Sequence, residues 1–143
     1  PVMRPAILFL PVNNNGSHWS LLVVNQATRE AFHYDSLEGR PDYDAMPQFQ
    51  VASRVAAALS AQSLSAMPMV QQGDDYTCGD HVLAGIEALV ERVNDDGRFQ
   101  SALDFRRIDM NLSEITPNRK HTVDVLTVIE EFDAEVCLSV PSG

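Results

Sequence analysis

Two apolar segments joined by one turn constrain this chain more than any other feature. Trp19 to Val24 and Glu30 to Tyr34 are both strand-like, and the polar stretch 25–29 between them reads as a turn. The pattern predicts an antiparallel hairpin. A hairpin sets the residue that opens its first strand beside the residue that closes its second. Here those residues are His18 and Asp35, so an imidazole and a carboxylate are expected to meet without any long-range assumption.

The rest of the chain supplies a second layer. Ala6 to Leu10 reads as a short buried strand, and Glu38 to Pro47 as a loop rich in Gly and Pro. Val51, Val55 and Leu59 recur at helical spacing within 48–62, and Pro68 to Val70 suggests another short strand. After the polar loop 71–77, Val82, Leu83, Ile86, Leu89, Val90 and Val93 give the strongest helix, over 79–93. Gly85 in its middle costs about 1 kcal/mol relative to Ala, which points to close packing there. Phe99 to Phe105 predicts a shorter helix. Thr116-Pro117 is expected as the N-cap and N1 pair of a last helix carrying Val125, Val128, Ile129 and Phe132 on one face. Strands first and helices later predict an α+β fold, a mixed or antiparallel sheet packed against helices.

At 143 residues a single domain, 1–143, is expected, with no internal repeat or linker to divide it. The chain begins at Pro1 rather than Met, which suggests an N-terminally truncated or processed product. No apolar run approaches the roughly 20 residues of a membrane span, and no signal-peptide pattern opens the chain. Ten basic against twenty acidic residues give a net charge of −10, which repels phosphate backbones and disfavours nucleic acid. The acidity is concentrated, with 5 acidic residues in 1–71 and 15 in 72–143. Such a half suits either a soluble surface or a partner with a basic face. Two cysteines are too few for a disulfide framework, so a reducing, intracellular compartment is expected.

Cys78 and Cys137 differ in context. Cys137 lies in the apolar stretch 135–138 and reads as a small hydrophobe. Cys78 stands at the predicted start of the strong helix, where unpaired N–H groups and the macrodipole favour a thiolate. Thr77 is an N-cap residue type. Asp74, Asp75 and Asp80 oppose the thiolate, so a cation is needed beside it, and His is the usual one. His33 sits within a strand, His81 one helical turn from Cys78, and His121 near the last helix. His18, at a strand entry after a polar turn, is the best placed, and Asp35 would fix its tautomer and stabilise its charged form. Gln72, six residues before Cys78, could offer an amide N–H to a developing oxyanion together with the Cys78 backbone N–H. Cys78 with His81 is too sparse for zinc, so no metal is expected.

His18-Trp19-Ser20-Leu21, Tyr34-Asp35-Ser36-Leu37, Gln72 and Tyr76-Thr77-Cys78-Gly79 stand in that order. Together they resemble the ubiquitin-like-protein (sentrin/SUMO-specific) protease family of clan CE cysteine peptidases. That family shows a His-Trp pair opening a strand, an Asp at a strand end, and a Gln six residues before a Cys-Gly. The resemblance covers Ala6 to about Val93 and is similar in compactness to bacterial effector members. It implies a small papain-like fold with the nucleophile at a helix N-terminus. It also implies a thiol isopeptidase with His18, Asp35, Cys78 and Gln72 as its catalytic set and no cofactor. The substrates implied are SUMO first and ubiquitin second, as conjugates cut after a C-terminal Gly-Gly. Trp19 reads from the residues as a core side chain, whereas the resemblance makes it the roof of a channel for the two glycines. A monomer is expected, with no membrane partner; an effector would be secreted into the cytoplasm or nucleus of a host cell. An effector acetyltransferase of the same clan, or a binding module that has lost catalysis, are the alternatives, the first disfavoured by Asp35 where Glu is usual. Two departures stand out: Thr77 replaces the usual Asp before the nucleophile, and the given sequence begins just before the His strand, where family members usually carry an upstream, modifier-docking segment.

Overall fold

The computed structural model describes residues 7–14, 16, 18–74, 76–95 and 109–127. Among these residues, four strands form one mixed sheet in the order β1-β2-β3-β4: β1 (Ile7–Asn14), β2 (His18–Asn25), β3 (Glu30–Tyr34) and β4 (Ser63–Ala66). The first three are antiparallel neighbours, and β4 joins β3 in parallel. Helix α1 (Met46–Ala58) follows β3, and α2 (Cys78–Asp95) follows β4. The architecture is α+β, as expected.

The hairpin is present, with Leu21 opposite Tyr34 and Asn25 opposite Glu30. Asn25 closes its turn by accepting from the N–H groups of Ala27 and Thr28, and Arg29 takes a positive φ. Side chains along β2 alternate between two layers. Leu21 and Val23 pack with Tyr34, Met69, Val82, Leu89, Val93 and Leu112, on the face covered by α2. Leu22 and Val24 pack with Val12, Ala31, Ala52 and Ala56, on the face covered by α1. All four β2 residues are fully buried, each contributing about 1.5–3 kcal/mol by removal from water. Gly85 explains how closely α2 approaches. A Cβ there would lie 3.1 Å from both Leu21 Cδ2 and Leu112 Cδ1 and 3.2 Å from Met69 Cε.

Several boundaries differ from expectation, each for a local reason. β1 runs on through Pro11 to Asn14, because β1 is the sheet edge, where the missing proline N–H costs no ladder bond. The fourth strand is 63–66 rather than 68–70; it is a mostly exposed edge strand with one large apolar residue, Leu64, and so has little hydrophobic signature. Met69 instead makes a single bridge to Leu112. α1 begins at Met46, taking in Pro47, which a first turn tolerates. The last helical segment, 119–127, starts after Asn118, whose Oδ1 accepts from the His121 N–H and takes the capping role expected of Thr116. Phe99 to Phe105, Cys137, and Val128, Ile129 and Phe132 lie outside the described residues.

The end of α1 carries its own strain. Ala61 N–H bonds to Ala56 C=O and Ser60 N–H to Ala57 C=O, the paired bonds of a Schellman motif. Ser60 therefore holds the left-handed position (φ 65) that glycine usually fills. Ser60→Gly should raise unfolding stability by about 0.5–1 kcal/mol, relief of the Cβ clash being partly offset by a freer unfolded chain. Urea denaturation would show this as a higher midpoint at unchanged slope; a lower midpoint would mean that the cap carries no strain.

Candidate active site

The hairpin ends meet as the register requires. His18 Nε2 lies 2.7 Å from Asp35 Oδ1, and both side chains are buried. Asp35 Oδ1 also accepts from the Leu37 N–H at 3.0 Å, and Oδ2 accepts from the Tyr43 hydroxyl at 3.1 Å. Burial pushes the Asp35 carboxyl up, but the hydrogen bonds from His18, Leu37 and Tyr43 outweigh it and hold the group below its ordinary value. Asp35 is thus a fixed carboxylate, oriented on three sides. Because His18 commits Nε2 to it, Nδ1 is the ring nitrogen open to proton exchange.

Gln72 is drawn to the same end of the sheet through Ser36, the residue after Asp35. Its backbone N–H donates to Ser36 C=O at 2.8 Å, and its Oε1 accepts from the Ser36 hydroxyl. Nε2 donates one proton to Asp74 C=O at 2.8 Å, leaving the second amide proton for another acceptor. The neighbouring Gln71 braces the strand end, donating to Asp35 C=O and Met69 C=O while its Oε1 accepts from Gly39 N–H.

Cys78 is buried and is the first residue of α2. The loop before it is folded by Asp74, whose Oδ1 accepts from Tyr76 N–H, Thr77 N–H and the Thr77 hydroxyl. Thr77 C=O accepts the first helical bond, from His81 N–H at 3.1 Å. The Thr77 hydroxyl points back to Asp74, so Thr77 marks the helix start without capping it by its side chain. The hydrogen bond that His18 makes is to Asp35, not to Cys78. Tyr43 braces the His18–Asp35 pair: its ring stands edge-on to His18 at 5.5 Å, and its hydroxyl bonds Asp35. Burial raises the Tyr43 phenol most, then Asp35, with smaller contributions from Asp44 and Cys78.

Trp19 is not a core residue. It is 43% exposed and faces the α2 layer, where it lines an apolar groove of about 290 Å³. Gly79, Val82, Leu83 and Ile86 form the helical wall of that groove, and Val125 and Leu126 close it. The other histidines have separate employment. His33 Nε2 pairs with Ser20 Oγ beneath α1, His81 Nδ1 with Thr77 C=O, and His121 Nε2 with Glu87 on the surface. Sequence reasoning missed Tyr43, Ser36 and Gln71 as supports. Ser36 sits inside the strand-end motif and could have been flagged; Tyr43 lies in a loop and carries no pattern. Among the described residues there is no cluster of three or more potential metal ligands, and no helix long and apolar enough to cross a membrane.

Residues 2–121 match the Ulp1 protease family, C-terminal catalytic domain. The chain belongs to this family. It is 32% identical over 101 residues to NEDD8-specific protease 1 of Schizosaccharomyces pombe, covering 64% of this chain and 23% of that protein. It is 33% identical over 96 residues to human sentrin-specific protease 8, covering 59% and 43%. The Xanthomonas campestris effector protein XopD, solved bound to ubiquitin, superposes with a TM-score of 0.65 at 39% identity, over 86% of this chain and 60% of XopD. The chain thus spans less than half of these two curated relatives.

The buried polar layer has a consequence for pH. His33 is lowered to about 4, chiefly by burial, with His18 adding to the effect and Asp35 opposing it. The unfolded chain takes up this proton as pH falls below about 6.5, while the folded protein takes it up only near 4. Stability is therefore full above that window and lost on descending through it, by about 3 kcal/mol for this group. Replacing His33 with Gln, which can still bond Ser20, should flatten denaturation midpoints measured between pH 6.5 and 4. An unchanged slope would mean that His33 is not the group responsible.

Proposed function

We propose that this chain is the catalytic domain of a thiol isopeptidase that removes a ubiquitin-like modifier by cutting after its C-terminal Gly-Gly. The observation that supports the reading is the buried 2.7 Å His18–Asp35 pair at the end of a hairpin whose strand β2 packs against the helix that begins at Cys78. Cys78, as thiolate, forms a C–S bond to the terminal glycine carbonyl carbon. The oxyanion so formed is met by the free Nε2 proton of Gln72 and the Cys78 backbone N–H, an arrangement worth about 10²–10³ in rate per donor. His18, protonated at Nδ1, passes its proton to the leaving amine as the C–N bond breaks. It then takes a proton from the water that adds to the thioester carbonyl, and the C–S bond breaks to release the modifier's carboxyl end and return the Cys78 thiolate beside the protonated His18. Asp35 stays ionised throughout and holds the imidazole in the required tautomer.

SUMO conjugates are the first substrate class and ubiquitin the second; the likeness to XopD bound to ubiquitin supports the second, and the NEDD8-specific relatives add NEDD8 as a third. The same likeness supports a bacterial effector acting in the cytoplasm or nucleus of a host cell. SUMO, ubiquitin and NEDD8 probes ending in a thiol-reactive group should each be offered to the protein, and at least one should form an adduct on Cys78. Cys78→Ala should abolish both adduct and cleavage, while Cys137→Ala should leave both nearly intact. Equal loss in the two variants at unchanged stability would remove the assignment.

Trp19 then acts as the roof of the substrate channel. Its ring is partly exposed beside Gly79, where an added Cβ would meet nothing within 4 Å. A roof at van der Waals distance from an extended tail admits only residues without a Cβ, so the ring enforces Gly-Gly. A tail ending Gly-Ala should be cut at least tenfold more slowly than one ending Gly-Gly, and Trp19→Ala should erode both rate and preference. Similar rates on the two tails by the unmodified protein would dismiss the channel.

A further inference from the structure

One carboxylate near the nucleophile is out of keeping with a thiolate. Asp80 lies in the first turn of α2, two residues after Cys78, with its side chain only 2% exposed. An acidic residue there satisfies the positive end of the helix dipole that the thiolate also needs. Residues two apart on a helix do not face each other, so the competition runs through the shared helix terminus rather than through contact. A buried carboxylate also costs several kcal/mol unless a cation is fixed to it.

Arg119 is that cation. It opens the helical segment 119–127, and its Nε lies 3.0 Å from Asp80 Oδ2. The same guanidinium donates from Nη2 to Tyr76 C=O at 2.9 Å and lies 5.6 Å over the Tyr76 ring. One side chain therefore hydrogen-bonds the residue two before Cys78 and stands in ion-pair range of the carboxylate two after it, whose oxygens accept no hydrogen bond among the described residues. Resting on the thiolate reading above, we infer that Arg119 is a positioning residue: it neutralises Asp80, frees the helix terminus for the Cys78 thiolate, and fixes the backbone that presents it. Nothing in the nucleophile's own motif supplies this charge.

The test uses the full chain and follows alkylation of Cys78 by iodoacetamide at one pH and ionic strength. Mass spectrometry of the Cys78 peptide separates it from Cys137, and thermal unfolding is recorded alongside. Arg119→Gln should slow Cys78 alkylation roughly tenfold by leaving the buried charge uncompensated. Arg119→Lys should recover part of the loss, since an ammonium can pair with Asp80 but cannot also hold Tyr76 in the planar fork. Adding Asp80→Asn to Arg119→Gln should restore the rate to within about threefold of the unmodified protein, and this double variant has no buried charge to unfold it. Wild-type alkylation in Arg119→Gln with a lowered unfolding temperature would mark a merely structural role and overturn the inference. So would a double variant no faster than Arg119→Gln. Alkylation needs no substrate, so an unmodified protein that cuts no modifier would dismiss the proposed function and leave this outcome to be read by itself.

Discussion

Burial of β2 on both faces is the constraint from which the rest of the structure follows. A strand with one wet face can shift its partners, but Leu21, Leu22, Val23 and Val24 are all fully enclosed. A one-residue slip would exchange the α1-facing and α2-facing sets. The register with β3 is therefore fixed from both sides, and with it the place where the hairpin opens. His18 begins β2 and Asp35 follows β3, so the apolar packing in the middle of the hairpin determines the geometry of the polar pair at its end. Gly85 extends the same constraint to α2, because a Cβ there would press on the side-chain ends of Leu21, Leu112 and Met69 at 3.1–3.2 Å, and its absence lets the helix lie close. The depth of the helix, and so the height of Cys78 at its start, is set in the core.

At that end the protein buries an unusual amount of polarity and satisfies it. Asp35, Ser36 and Gln72 are nearly inaccessible, yet each has partners from other segments. A buried polar group without a partner costs about 1–3 kcal/mol, so these groups hold one another to a single arrangement. The chain of contacts runs from Tyr43 through Asp35 to His18 on one side, and from Ser36 through Gln72 to Asp74 on the other. Asp74 then folds the loop into α2. The candidate base and the candidate nucleophile are thus joined by structure rather than by a direct bond.

Much of this was legible in the sequence where the signal was periodic or local. The hairpin, α2 and the His18–Asp35 meeting follow from alternation, helical spacing and a short turn. What escaped was carried by residues whose role depends on where a loop returns. Tyr43 belongs to a stretch read only as Gly- and Pro-rich loop, and its hydroxyl reaches Asp35 because of the path that loop takes. β4 escaped because Ser63-Leu64-Ser65-Ala66 pairs through its backbone and has almost no apolar face. The expected first strand stops before Pro11 and the expected loop takes in Pro47, yet both prolines lie inside regular elements. One lies on an edge strand and the other in a first helical turn, two settings where proline costs little. Trp19 had two readings, and its neighbours in β2 favoured the core. Its exposed ring instead lines the groove between α2 and the segment 119–127.

Thr77 shows why a local rule can hold in type and fail in detail. A Thr before a helix normally turns its oxygen inward to accept from the first-turn N–H groups, worth about 1 kcal/mol. Here the hydroxyl donates backward to Asp74, and the stabilisation is spent on the loop instead. The exchange is intelligible if the helix terminus has other work. N–H groups covered by a side-chain cap could not receive a thiolate or a developing oxyanion, and an anion site at a helix start requires them open. The same logic accounts for Asp74 as the loop former: placed four residues ahead of Cys78, it can order Tyr76 and Thr77 without occupying the helix terminus itself. Stability is thus taken from the approach to the helix rather than from a Thr77 side-chain cap, an arrangement that suits the proposed thiolate at the terminus.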